Sequence, residues 1–349
     1  MVSEGSIVQY QQKHSRMSEA KIIRLAANEN CYGCSPFAMD AVQKNLENIH
    51  LYPEVNPVVL KDKLAESFGV NSKNIVVGAG SVRIIDGLIQ TFVGAEEEVL
   101  TFEKSFIAYG QLAGFHNRKC QFAPLTEFRC NPENIFPLIN EKTKLIFIAN
   151  PNNPTGTIIS HAELENLLGR ISKNIIVAID EAYGEYVNDS AFPNSIALQK
   201  KYPNLVILHS FSKIYGLAGL RIGFAIMDEE KAASMSRGQI PYSLSPISVN
   251  AALAALNDQA FILKSAKDNA EQRTILFNEL NKLGYNVVAS QSNFIYMWFG
   301  TDDEKKMVYD KLFRNGIIIC DMKIFGQEKA LRISIGDAKA NAMIIQCLG

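Results

Sequence analysis

Short apolar runs alternate with longer stretches of helical period through the first two thirds of the chain. This alternation restricts the fold more than any other feature. The runs are 74–77 (NIVV), 98–101 (EVLT), 144–149 (KLIFIA), 175–179 (IIVAI), 205–208 (LVIL) and 222–226 (IGFAI). Strands apolar on both faces belong to a parallel or mixed sheet covered by helices on both sides. Segments 57–68, 83–92 and 162–170 supply such helices. Past about residue 240 the pattern changes. A helical stretch spans 248–283 with a break near Asp258, and strands follow at 294–298, 317–320 and 330–335, with a helix between the first two. The expected fold is α/β: residues 48–240 form a large domain with a mostly parallel sheet, residues 241–349 a smaller α+β domain, and residues 1–47 an N-terminal arm that joins the small domain.

At 349 residues, 47% hydrophobic and 20% charged, the chain has enough apolar material for a sizeable core. A formal net charge of -1 gives no field to recruit nucleic acid or an anionic membrane. No apolar run is long enough to span a bilayer, and the polar N-terminus lacks the apolar region of a secretory signal. The six cysteines are scattered, as expected of a reduced cytoplasmic protein. Cys31 and Cys34 have CxxC spacing, but no second pair or nearby histidine completes a four-ligand site. They read as free thiols in a loop, and no metal is expected.

Ligands of open α/β sheets sit beyond the carboxyl ends of the strands, and four segments at such ends carry chemistry. In 210–221 (SFSKIYGLAGLR), Lys213 lies among small hydroxyl residues with Arg221 downstream. A lysine can bond to an aldehyde cofactor, and hydroxyls with a guanidinium suit a phosphate. In 175–183 (IIVAIDEAY), Asp180 ends a hydrophobic strand, where it can pair a protonated ring nitrogen, and Tyr183 can donate to a phenolic oxygen. In 150–156 (NPNNPTG), two prolines and Gly156 fix a loop that presents a side-chain amide. In 78–81 (GAGS), glycines admit the backbone to an anion at a helix start. Singly, each has a plain alternative: a surface lysine, a turn-capping aspartate, a tight turn. Together they point to pyridoxal phosphate.

At this point the chain resembles the histidinol-phosphate aminotransferase family, within the fold-type-I aminotransferases. The resemblance is carried by 25–30 (LAANEN), Tyr52-Pro53, 215–223 (YGLAGLRIG) and 331–334 (LRIS), besides the four segments above. It implies a transaminase of amino-acid biosynthesis that passes an amino group from a histidinol-phosphate-like or aromatic donor to a 2-oxo acid such as 2-oxoglutarate. By the same resemblance Lys213 bonds the cofactor and then moves the proton, Asp180 pairs the ring nitrogen, and Tyr183 and Asn153 bind the phenolic oxygen. Ser81, a backbone amide near Val82, Ser210, Ser212 and Arg221 bind the phosphate, and Phe106 stacks on the ring. Tyr52 reaches the partner subunit's phosphate, which implies a homodimer. Arg332 holds the substrate's anionic end, and Asn30 and Tyr32 lie in the loop over the substrate.

Three departures stand out. Val82-Arg83 replaces the acidic pair common after the glycine loop. Cys31 and Cys34 replace two prolines, so that loop is expected to be less rigid. Cys320 stands where the family commonly has a second anion-binding arginine, with Lys323 nearby as a point charge. Losing that contact to a dianionic phosphate costs about 1.5–3 kcal/mol. A single Arg332 suffices for an α-carboxylate, with Phe106, Tyr32 and Tyr242 as an apolar pocket for an aromatic donor. Cys320 as a strand residue without substrate contact and Cys320 as a specificity change both stay open. The rival activities are a decarboxylase similar to the threonine-phosphate decarboxylases and a non-catalytic sensor. The resemblance starts near Arg24, which leaves no appended DNA-binding domain, so the sensor is the weaker of the two.

Overall fold

A computed structural model describes residues 22–349. What was expected of residues 1–21, including the absence of an export signal, lies outside the described residues. Twelve strands occur among the described residues: β1 Ile23–Leu25, β2 Ile75–Gly78, β3 Glu98–Phe102, β4 Lys119–Ala123, β5 Thr143–Ala149, β6 Ile176–Asp180, β7 Leu205–Ser210, β8 Gly223–Ile226, β9 Asn286–Val288, β10 Phe294–Trp298, β11 Ile317–Asp321 and β12 Ala330–Ser334. They form a seven-stranded sheet in the order β2-β8-β7-β6-β5-β3-β4 and a five-stranded sheet in the order β1-β11-β12-β10-β9. In the larger sheet only β8 runs antiparallel to its neighbours.

Each apolar run in the large domain is a strand, and each of the three helical segments there is a helix: Val58–Phe68, Ser81–Phe92 and His161–Arg170. Side chains alternate across the larger sheet. Val177 and Ile179 face one core with Leu60, Leu64 and Ile207, while Ile176 and Ala178 face another with Ile85, Leu88 and Phe147. Both faces are covered, which explains the uninterrupted apolar runs. The break at Asp258 is a shared cap: it ends helix Pro246–Asn257, and its carboxylate accepts from Phe261 N at the start of helix Gln259–Lys282.

The smaller sheet packs over Leu276, Leu280, Leu312 and Ile344. Its β1 pairs in parallel with β11, so the first described segment lies in the sheet built by the last third of the chain. Among the described residues no helix is long and apolar enough to cross a membrane.

Candidate active site

Strands β2, β3, β5, β6 and β7 all deliver their following loops to one cavity of about 270 Å³, closed from the other side by Met322, Phe325 and Arg332 of the small domain. Ser81, Val82, Phe106, Asn153, Asp180, Tyr183, Ser210, Ser212, Lys213, Arg221 and Arg332 all line it.

One end is built for an oxyanion. Ser210 ends β7, and its Oγ accepts from Ser212 N at 3.1 Å. Arg221 Nη1 donates to Ser212 Oγ at 3.3 Å and to Ala218 O at 3.1 Å. Gly80 caps helix Ser81–Phe92 with φ +83° and no side-chain cap, so the first amides of that helix remain available to an anion. A Cβ on Gly80 would collide with Arg221 Nη2. Arg83 is turned away and pairs with Asp86.

The middle holds the charged groups. Asp180 ends β6 almost fully buried, with Oδ2 accepting from the Tyr109 hydroxyl at 2.8 Å and Oδ1 from Ala182 N at 3.1 Å. Burial raises its pKa, opposed by those two hydrogen bonds and by the charge of Lys213. Lys213 Nζ donates to Ala27 O at 3.0 Å and lies 5.4 Å from the Tyr183 ring centre. Tyr183 accepts from Asn28 Nδ2 at 3.1 Å, which leaves its own proton for a ligand.

At the far end Arg332 is 7% exposed. Its Nη1 donates to Asn153 Oδ1 at 2.6 Å and its Nη2 to Ala26 O at 2.8 Å, while buried Nε has no partner among the described residues. A buried guanidinium with an unused donor at a cavity wall is a site for an anion. Register places Cys320 and Tyr296 directly beside Arg332 on the two flanking strands. Cys320 is buried with Tyr296, Met322 and Ala330, and burial pushes its thiol pKa up.

Several residues expected near substrate do not line this cavity within one chain. Asn30 donates to Ile214 O at 2.8 Å and accepts from Tyr32 N at 3.0 Å, which fastens its own loop. Tyr32 packs toward Lys264, with 5.7 Å between the ammonium and the ring centre. Tyr242 leans on Tyr52 at 5.0 Å, and Tyr52 is 85% exposed. The apolar wall expected from Phe106, Tyr32 and Tyr242 is instead made by Phe106, Ile107, Met322 and Phe325. Lys323 is exposed and does not line the cavity either. Cys31 is exposed and Cys34 half-buried, neither in a disulfide. Asn30 and the Ser35–Asp258 hydrogen bond of 2.6 Å restrain the loop where two prolines are missing.

Three contributors were given no role from the sequence. Tyr109 reads as an ordinary core residue of helix Ala108–Phe115, yet it holds Asp180. Asn28, at φ +57°, holds Tyr183. The loop between β9 and β10 joins the two sheets: Gln291 N donates to Gly156 O at 2.8 Å, Asn293 Nδ2 to Asn28 O at 3.0 Å, and Arg273 Nη1 to Ser292 O at 3.0 Å.

The model of the family described as aminotransferase class I and II matches residues 20–348. The chain belongs to that family. It is a pyridoxal-phosphate-dependent aminotransferase, acting on an amino donor and a 2-oxo acid. It is 38% identical to histidinol-phosphate aminotransferase 1 of Mannheimia succiniciproducens over 94% of this chain and 89% of the relative. It is also 38% identical to histidinol-phosphate aminotransferase of Anaeromyxobacter sp. over 95% and 91%. Among solved structures, histidinol-phosphate aminotransferase from Clostridium acetobutylicum superposes with a TM-score of 0.85 at 26% identity, covering 94% of this chain and 98% of that one. L-threonine-O-3-phosphate decarboxylase from Porphyromonas gingivalis shares the fold, with a TM-score of 0.82 at 22% identity over 94% and 98%.

The residues present fit the family's cofactor. A serine-arginine pocket at a helix start suits its phosphate, and a buried carboxylate suits its ring nitrogen. Lys213 lines the same cavity, as does Arg332 with its unpaired Nε.

Proposed function

We propose a ping-pong transamination at Lys213, with a histidinol-phosphate-like or aromatic amino donor and 2-oxoglutarate as the acceptor. The observation that carries this reading is the placement of Lys213, Asp180 and Arg332 in one cavity. When bound, pyridoxal phosphate supplies an electron sink for the pair left on the donor's α-carbon. Lys213 Nζ would hold the cofactor, and its amine would serve as the general base that takes and returns the α-proton. Asp180 holds the ring nitrogen. Tyr183 and the amide NH₂ of Asn153 hold the phenolic oxygen, and Phe106 covers one face of the ring. Ser81, the amide of Val82, Ser210, Ser212 and Arg221 anchor the phosphate. Arg332 takes the substrate's anionic group. We assign Asn30 and Tyr32 to fixing the loop above the cavity rather than to direct contact with substrate.

We further propose a homodimer in which Tyr52 completes the phosphate site of the partner subunit. Its exposure, next to exposed Leu51, Val55, Val58 and Val59, supports that reading. Six cysteines free of disulfides fit a reducing cytoplasm.

The test is a donor panel of histidinol phosphate, phenylalanine, tyrosine and histidine with 2-oxoglutarate, analysed for oxo product and for CO₂. Oxo product with glutamate supports transamination, whereas stoichiometric CO₂ from an amino-acid donor would replace it with decarboxylation. Lys213→Ala abolishes turnover and the visible absorbance of the bound cofactor. Steady-state transamination retained in that variant would sink the role given to Lys213.

A further inference from the structure

Tyr109 is fully buried, and its ring is pinned from two sides. It stacks on Phe147 at 4.7 Å with an interplanar angle of 1°, and Phe106 meets it edge-on at 5.5 Å. The layer around it is apolar, with Ile85, Leu88, Leu145 and Ala113. A phenylalanine would fill this space without bringing a polar atom into it. The hydroxyl is instead aimed at Asp180 Oδ2 at 2.8 Å.

We infer that Tyr109 is a positioning residue for the reaction: by donating to Asp180 Oδ2 it holds Asp180 as a carboxylate, and so keeps the proton shared by Asp180 and the cofactor's ring nitrogen on the nitrogen. The inference rests on Asp180 facing that nitrogen, as proposed above.

In a dry site two arrangements of this proton compete. One is a carboxylate paired with a protonated ring, and the other is a neutral acid paired with a neutral ring. Burial favours the neutral pair, because each charge has lost its water. Three groups at Asp180 favour the charged pair: the Tyr109 hydroxyl, the Ala182 amide and the Lys213 ammonium. Lys213 loses its ammonium on bonding the cofactor, and the amide belongs to the backbone. Tyr109 is the remaining side-chain donor to Asp180. Burial and the neighbouring carboxylate push its own pKa far up, so it stays a donor throughout the working pH range. Only a protonated ring withdraws electrons strongly from the donor's α-carbon, so the position of this proton sets the rate at which Lys213 can remove the α-proton.

The experiment uses holoenzyme carrying cofactor labelled with ¹⁵N in the ring. Wild type gives the resonance of a protonated nitrogen. Tyr109→Phe moves it toward the unprotonated position and lowers kcat about 10- to 100-fold, the effect of one hydrogen bond to a charged group, while the donor KM holds. A protein with 3-fluorotyrosine at 109, which keeps the shape and donates more strongly, keeps both the protonated resonance and kcat. The inference is overturned if Tyr109→Phe leaves the nitrogen protonated, or if the fluorinated protein behaves like the phenylalanine variant. An unprotonated nitrogen in wild type would instead overturn the role given to Asp180.

Discussion

Arg332 and Asn153 meet across the cavity, with Nη1 donating to Oδ1 at 2.6 Å. The contact joins the small domain to the loop after β5, and it consumes the amide oxygen so that the NH₂ group is the part of Asn153 left for a ligand. Arg332→Lys keeps a charge but loses the fork that serves Asn153, Ala26 and an incoming anion together. Its kcat/KM falls about 100-fold for donor and 2-oxo acid alike, at roughly 1.5–3 kcal/mol per charge-assisted bond. The visible absorbance of the bound cofactor stays unchanged. Steady-state kinetics alongside a spectrum of the resting enzyme check both parts.

Gly80→Ala is predicted to weaken cofactor binding. A Cβ at φ +83° is strained by about 1–3 kcal/mol, and here it also meets Arg221 Nη2 and displaces the guanidinium whose Nη1 is bonded to Ser212 Oγ. Equilibrium dialysis against free cofactor gives the measurement, and a dissociation constant equal to wild type refutes the prediction.

Cys320 faces Arg332 across the strand pair β11–β12. Cys320→Arg places a second guanidinium beside the first. It raises kcat/KM for histidinol phosphate relative to phenylalanine by about 10-fold, the lower figure for one charge-assisted contact. The ratio of the two constants, measured on one preparation, reads the effect independently of how much of the protein is active.

Stability should fall as pH rises from 6.5 to 8. Glu181 is buried and Glu185 partly buried, and desolvation pushes their pKa values to about 8 and about 7. The folded protein therefore holds protons there that the unfolded chain releases near 4.5, and this stabilisation is lost as pH climbs through the folded values. His209 lies within 3.9 Å of Glu181 and 3.8 Å of Glu185, but burial depresses its pKa to about 4. It is neutral there, so these contacts are not ion pairs at neutral pH. Its opposing contribution rises between about 4 and 6.5 and is complete above that range. Urea unfolding at a series of pH values measures the slope, and Glu181→Gln flattens its upper part.

The larger sheet was legible because its strands are buried on both faces and so read as apolar runs. Strand β4 was not, because it is an edge strand in which only Ala123 is buried. Helix Ser81–Phe92 starts two residues before its expected bound, at a turn that glycine makes without a side-chain cap. The cavity residues attached to strand ends could be named from local motifs. The roles of Tyr109 and Asn28 could not, because their partners Asp180 and Tyr183 lie 71 and 155 positions away. Asn30 and Tyr32 belong to the loop expected over the substrate, and the structure shows the Asn30 amide bonded to Ile214 O and to the backbone N–H of Tyr32.

The pairing of β1 with β11 has a consequence for how the enzyme is made. Residues 23–25 leave the ribosome long before their partner strand at 317–321. Ala26, Ala27 and Asn28, which hold Arg332, Lys213 and Tyr183, follow β1 directly. The nascent chain can fold its large sheet during translation, but the roof over Lys213 can close only after β11 and β12 have emerged. A polypeptide stalled short of β11 and β12 therefore exposes the catalytic lysine without the arginine that selects what reaches it.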